Sequence, residues 1–262
     1  MTIDYRGTTA LVTGASSGLG EQFARQLAAR GANLVLVARR ADRLEALASD
    51  LRAAHSVTVD VIPADLSKAR PGRALGKELA KRGITVNTVI ANAGFGSFAA
   101  FQDEDADRVA DEVALNVAAV VDITREFYPA MLAAGTGALV TVASTAAFQP
   151  VPKMAIYGAT KAFVLSFTEA LWYESRHSGL RVLALCPGAT ETEFFDVAGN
   201  GERFGFNRDT AANVVKRAMK ALDKRNGRGS LISGAGNAFG AVAVRMLPRG
   251  LATAMAGRLT GA

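Results

Sequence analysis

The 262-residue sequence predicts an α/β fold: a single doubly wound domain with a seven-stranded, mostly parallel sheet flanked by helices on both faces. Three observations predict it. Short β-rich apolar runs alternate with helix-patterned stretches along most of the chain. The first run ends in a glycine-rich turn that opens a helix, which is the Rossmann-like arrangement. Polar and glycine residues recur just past the ends of successive runs, and right-handed crossovers bring those ends to a common edge.

Taken in order, Thr8–Thr13 reads as the first strand and leads into Gly14-Ala-Ser16-Ser17-Gly18-Leu19-Gly20. Glycines there let the backbone turn tightly against a pyrophosphate seated on the N-terminus of the following helix. The spacing is G-x-x-x-G-x-G rather than G-x-G-x-x-G, and an ordinary glycine-rich turn stands as the alternative. Asn33–Ala38 is the second strand, a continuous apolar run suited to a buried parallel sheet. Arg39 and Arg40 follow it, with no carboxylate before Asp42. Arginine at this place accommodates a ribose 2′-phosphate, whereas an acidic residue would hold a 2′-hydroxyl, so the residues favour NADP(H). A solvated basic turn opening the helix Asp42–Ala54 is the other reading of Arg40.

Val57–Ile62 is the third strand, and Asp65-Leu66 after it offers a carboxylate to an adenine amino group or simply fixes the loop. Val86–Ala91 is the fourth, ending in Asn92-Ala93-Gly94. Asp103–Asn116 and Ala118–Ala134 read as helices, and Asn116 needs partners in its apolar setting. Ala138–Ala143 and Arg181–Cys186 are the fifth and sixth strands; Ser144 stands beyond one and Pro187-Gly188 beyond the other. Gly229–Ser233 supplies a seventh.

The chemistry concentrates in Ser144–Lys161. Tyr157 and Lys161 are four apart in a run, Lys153–Glu174, that reads as helix, so they share a face. An ammonium beside a phenol favours the phenolate. Lowering a tyrosine pKa from about 10 towards neutrality takes roughly 4 kcal/mol. The same spacing arises in helices that merely bury a tyrosine and expose a lysine.

Composition excludes other chemistries. One cysteine, Cys186, rules out an internal disulfide and suggests a reducing compartment. With only two histidines, His55 and His177, both expected at helix ends on the surface, no metal-ligand spacing exists. The net charge of +6 comes without a nucleic-acid motif, which favours an anionic small ligand. The N-terminus lacks an apolar signal segment and no run approaches a membrane span, so a soluble, cytoplasmic protein is expected.

Over roughly its first 235 residues the pattern resembles the short-chain dehydrogenase/reductase family. The residues that carry the resemblance are Thr13–Gly20, Asn92-Ala93-Gly94, Asn116, Ser144, Tyr157-Gly-Ala-Thr-Lys161 and Pro187-Gly188. The resemblance implies hydride transfer between NADP(H) and an alcohol or carbonyl. Tyr157 would be the general acid in reduction and the base in oxidation, and Ser144 would hold the substrate oxygen. Lys161 would lower the Tyr157 pKa and bind the nicotinamide ribose, and Asn116 would hold a water in a proton relay. Thr190 and Thr192 would flank the nicotinamide carboxamide or the phosphates. Arg39 matches the position that selects NADP(H), while Ser17 departs from the second basic residue of many such members.

Residues 1–237 are thus expected to form the catalytic domain, with 189–208 as a substrate loop or lid. Within it Phe194, Phe195, Phe204 and Phe206, punctuated by glycines, suggest an apolar carbonyl substrate, with Phe95, Phe98 and Phe148 around the same edge. Residues 238–262 form a helical tail, its Leu251, Met255 and Leu259 stripe expected to pack on the domain or a second subunit. The family usually forms dimers or tetramers, so a homodimer or homotetramer is expected. A membrane surface is the lesser alternative for the tail. Competing functions are a non-catalytic NADP(H) sensor and a membrane-surface scaffold.

Overall fold

The computed structural model describes residues 2–199, 208–224 and 227–261. Seven strands form one sheet: β1 (Thr9–Thr13), β2 (Asn33–Ala38), β3 (Val59–Pro63), β4 (Thr88–Ala91), β5 (Ala138–Val142), β6 (Arg181–Cys186) and, last in the chain, β9 (Ser230–Ile232). Their order is β3-β2-β1-β4-β5-β6-β9, and every pairing is parallel. The expected "mostly parallel" sheet is therefore entirely parallel among the described residues. β2 leaves one side of β1 and β4 lies on the other, which puts the switch in strand order at β1.

Alternation along the strands divides the core in two. Leu34 and Leu36 of β2 face helices α1 (Gly18–Ala28), α2 (Ala41–His55) and α8 (Ala211–Leu222), through Phe23, Leu27, Leu44, Leu51 and Met219. Val35 and Val37 face α3 (Pro71–Lys81), α5 (Val120–Ala134) and α6 (Ala155–Glu174), through Leu79, Ile123 and Val164. Each such side chain fully buried contributes about 1.5–3 kcal/mol. Both faces are covered, which is why the strands are apolar runs rather than alternating ones.

Three departures from the sequence expectation have local causes. The helix expected from Lys153 begins at Ala155, because Lys153 has φ +62°. The two helices expected around Asn116 are joined: α4 (Ala106–Val113) passes through a π-helical turn, Ala114–Ala119, into α5. The tail forms two helices, α9 (Ala235–Met246) and α10 (Arg249–Thr260), the first beginning before residue 238. On α10 the buried face is Ala252, Ala256 and Thr260, while Leu251, Met255 and Leu259 point outward. Packing of that stripe on the domain is thus corrected: small residues allow the close approach.

Between β6 and α8, the short strands β7 (Thr190–Glu191) and β8 (Asp209–Thr210) pair and frame the base of a loop. The loop carries α7 (Phe194–Ala198). Phe204 and Phe206 lie outside the described residues.

Candidate active site

A cleft of about 790 Å³ opens along the C-terminal edge of the sheet. That volume suits a ligand of dinucleotide or drug size. Every site residue expected from sequence lines it except Gly20 and Asn116, which stand directly behind its wall.

The floor is built at the switch point. Thr13, at the end of β1, accepts through its hydroxyl from the backbone N–H groups of Asn92 and Ala93, at 2.9 and 3.0 Å. The Asn92 amide donates back to the Thr13 carbonyl at 2.9 Å. This reciprocal pair fixes the ends of β1 and β4 side by side. Gly14 turns between them at φ +64°, where a Cβ would lie 2.9 Å from the Ala93 backbone. Gly20 sits so close that its Cβ would meet the Gly14 carbonyl at 2.2 Å, which brings α1 onto the turn. The N-terminus of α1, with its free N–H groups, therefore faces the cleft.

Ser16, Ser17 and Arg40 meet at one end. The Arg40 guanidinium donates to the Ser16 hydroxyl at 3.1 and 2.9 Å and to Ser17 at 2.9 Å. It also donates to the Glu193 carboxylate at 2.8 Å. Arg40 thus brings a cation onto Ser17, where the sequence departs from the resembled pattern, while Arg39 is exposed at the cleft. Glu193, unmarked in the sequence reading, already places an anion among these groups; Arg43 shares it. Hydrogen bonds from Arg43 and then Arg40 hold its carboxyl down to about 2. Asp65 spends one oxygen on the backbone and hydroxyl of Ser67, at 3.0 and 2.8 Å, which also lowers its pKa. Its loop-fixing role is therefore real, and it still lines the cleft beside buried Leu66.

At the other end Ser144, Tyr157 and Lys161 converge. Ser144 is the extended residue after β5 and accepts from the Ala146 N–H at 3.1 Å. The Lys161 ammonium donates to the Val142 carbonyl of β5 at 2.8 Å and lies 5.7 Å from the centre of the Tyr157 ring. Phe194 of α7 packs on the other side of that ring, centroids 5.0 Å apart. Burial beneath Phe194 pushes the phenol up to about 12, with Ser144 pulling the other way. Burial lowers Lys161 to about 8. Desolvation is the largest influence on both groups, and it opposes the charged form of each.

Asn116 is wholly buried in the π-helical turn. Its two amide hydrogens go to the Phe95 carbonyl at 2.8 Å and the Thr160 hydroxyl at 3.1 Å, and its oxygen accepts from the Phe95 N–H at 3.1 Å. Reaching those partners takes the extra residue per turn, and π-bulges recur at functional sites for such reasons. With both donors committed, the side chain clasps the Phe95 loop. Gly94, between them, leaves room for Asn116 and Lys161: a Cβ there would lie 2.8 Å from the Asn116 oxygen.

Near Pro187 and Gly188 the wall is completed by Thr190, Thr192 and, from α9, Asn237. Gly188 is overlain by the Asn237 amide, a residue the sequence reading did not mark. Thr190 donates to the Gly188 carbonyl at 3.0 Å, and Thr192 packs against Gly18. Of the aromatic residues expected at this edge, Phe95, Phe194 and Phe195 face the cleft. Phe148 instead packs into the core between the sheet and α6.

A doubly wound sheet with a glycine-lined cleft at its switch point and a tyrosine–lysine pair on the facing wall defines a class, the oxidoreductases built on a dinucleotide fold. The chain belongs to the short chain dehydrogenase family, whose family model matches residues 8–203. It is 36% identical over 216 residues to a sulfoacetaldehyde reductase of Chromohalobacter salexigens, covering 80% of this chain and 81% of that protein. A human protein named inactive hydroxysteroid dehydrogenase-like protein 1 is 33% identical over 188 residues, 71% of this chain and 56% of that protein. The chain thus spans little more than half of that relative. Among solved structures, a short-chain dehydrogenase from Sphingobium yanoikuyae in complex with NADPH superposes with a TM-score of 0.81 at 34% identity, covering 90% of this chain and 92% of that one. No helix among the described residues is long and apolar enough to cross a membrane.

Proposed function

We propose that the chain is an NADP(H)-dependent oxidoreductase that interconverts an alcohol and a ketone or aldehyde. The observation that carries the reading is the meeting of Ser144, Tyr157 and Lys161 on one wall of a cleft whose other end holds a glycine cradle and Arg40. Two observations support the cofactor reading: Gly14 leaves backbone exposed where a side chain would intrude, and Arg40, held by Ser16 and Ser17, already grips a carboxylate anion. Gly14 to Gly20 would cradle the pyrophosphate, with Asn92, Ala93 and Gly94 beneath it and Arg39 and Arg40 towards a 2′-phosphate. Asp65 and Leu66 would border the adenine; Pro187, Gly188, Thr190 and Thr192 would border the nicotinamide. When bound, a nicotinamide dinucleotide supplies or accepts the hydride.

The protein's part is proton handling and orientation. Tyr157 gives its phenolic proton to the carbonyl oxygen in reduction and takes it back in oxidation. Ser144 donates to the same oxygen and holds it beside the phenol. Lys161, fixed by the Val142 carbonyl, keeps a positive charge behind the phenol as negative charge develops there. Both donors of the Asn116 side chain are committed to Phe95 and Thr160, so it would hold a relay water only as an acceptor.

Phe95, Phe194 and Phe195, with Val151 and Met154, give the substrate end an apolar lining that favours an apolar carbonyl compound. One relative's name, hydroxysteroid dehydrogenase-like, agrees with that; another's, sulfoacetaldehyde reductase, points to a small anion. NADPH consumption over a panel from small charged aldehydes to cyclic apolar ketones tests both reaction and substrate class. Turnover confined to the charged aldehydes would reject the apolar pocket. The human relative, named as inactive, favours one competing reading, a non-catalytic NADP(H) sensor. It predicts NADPH binding without consumption anywhere on the panel.

A further inference from the structure

The basic residues are spread along the chain, but the acidic ones stop. Beyond Asp223 the sequence holds no aspartate or glutamate and six cations: Lys224, Arg225, Arg228, Arg245, Arg249 and Arg258. That number equals the net charge of +6, so the first 223 residues are balanced; half of the excess, Arg245, Arg249 and Arg258, lies on α9 and α10 and half just before them.

The same segment holds most of the exposed apolar bulk. Of eleven large apolar residues exposed among the described ones, six are on α9 and α10. Phe239, Val242 and Met246 fall at i, i+3 and i+7 on one face of α9, with Phe239 77% and Met246 83% exposed. Leu251, Met255 and Leu259 fall at i, i+4 and i+8 on α10. Arg245, Arg249 and Arg258 are exposed and form no ion pair among the described residues. Apolar rows flanked by unpaired cations, on helices too short to span a bilayer, are the pattern of an interfacial membrane contact.

We propose that α9 and α10 dock the protein on an anionic lipid surface. Charge selects this occupant over a second copy of the chain. A two-fold contact sets a patch against itself, which would bring the arginines of two tails together with no carboxylate in either tail to pair them. Anionic headgroups supply the missing charge, and the apolar rows enter the acyl boundary. The site has a functional position: Ala256, Leu259 and Thr260 of α10 line the mouth of the cleft, and the row on that helix runs from the cleft to the outer surface. Docked this way, the cleft mouth lies at the lipid surface, where an apolar substrate would be dissolved. Lipid binding needs no turnover, so the inference stands apart from the oxidoreductase reading.

The test is flotation of the full chain with phosphatidylcholine vesicles, with or without phosphatidylglycerol. Binding to the anionic vesicles alone, released by high salt, is expected. Two double variants, Phe239→Asp with Met246→Asp and Arg245→Glu with Arg249→Glu, should each weaken it by roughly tenfold or more. Their melting curves and NADPH titrations should match the parent, which shows that they fold. No flotation at low salt, equal flotation with neutral vesicles, or undiminished binding by both variants would overturn the proposal. So would a dimer in sedimentation equilibrium that the Phe239→Asp, Met246→Asp variant abolishes, since the row would then belong to a second copy.

Discussion

Glu193 reaches from the α7 loop across the cleft to Arg40, carboxylate to guanidinium at 2.8 Å, and Arg43 takes its other oxygen. The pair ties the segment that carries α7 to the turn after β2, at the place proposed for the cofactor's 2′-phosphate. A phosphate there competes with Glu193 for Arg40. A pKa held down to about 2 keeps the carboxylate charged well below its unfolded value of 4.5; the stability it adds is fully present above 4.5 and is lost as pH falls from there towards 2, so salt rather than pH loosens the pair near neutrality. Glu193→Gln should therefore tighten NADPH binding by about 2- to 5-fold, the range of exposed ion pairs, and leave NADH unchanged. Fluorescence titration with both dinucleotides measures this. Weaker binding of both would mean that the pair is a strap closing over the cofactor.

Tyr157→Phe keeps the ring that packs, tilted, against Phe194 and removes the proton that the mechanism needs. NADPH affinity and melting temperature should hold, while kcat falls by about 10²–10⁴-fold, the usual contribution of a positioned acid. Steady-state kinetics with the best carbonyl of the panel decides. Turnover equal to the parent's would take Tyr157 out of the chemistry.

Lys161 shows what a buried ammonium costs the fold. Burial lowers its pKa from 10.5 to about 8, so the folded chain holds fewer protons than the unfolded one between those values. Stability then rises as pH goes from about 8 to 10.5, and below 8 the full penalty of a buried ammonium applies. Lys161→Met removes that penalty and leaves the Val142 carbonyl without its donor, an opposing loss of about 1 kcal/mol. The variant should be more stable than the parent by about 1–2 kcal/mol at pH 7, lose the gain by pH 10.5, and be inactive. Urea denaturation at the two pH values tests the sign.

The sheet was legible because most of its strands are dominated by apolar residues, and two-sided burial leaves no other reading of Asn33–Ala38 or Arg181–Cys186. The cleft was legible because strand ends place Gly14, Arg39, Asn92, Ser144 and Pro187 on one edge. Polarity misled where a side chain's surroundings are set by distant elements. On α4 Val113 is exposed and Glu112 wholly buried, the reverse of a hydrophobic pattern. On α10 alanines face inward and leucines outward for want of space. The ion pair of Glu193 and the cover that Asn237 gives Gly188 join segments over 150 and about 50 residues apart, with no periodicity to announce them.

Glu112 carries the last prediction. It lies at the end of α4 with no exposed surface, and neither carboxylate oxygen makes a well-formed hydrogen bond among the described residues. Burial pushes its pKa up to about 7; Ser97, Arg108 and Lys161 oppose the rise, and Glu104 adds to it. The folded chain therefore holds an extra proton between the ordinary value of 4.5 and about 7, and stability falls as pH rises through that window. Glu112→Gln keeps the shape and removes the charge. It should match the parent near pH 4.5 and exceed it by about 1–3 kcal/mol at pH 8. Because Glu112 also faces Lys161, losing its charge should lower the Lys161 pKa further, detectable as a downward shift in the pH dependence of kcat/KM. Parent and variant with the same stability difference at both pH values would show that Glu112 is already neutral, or already solvated, throughout.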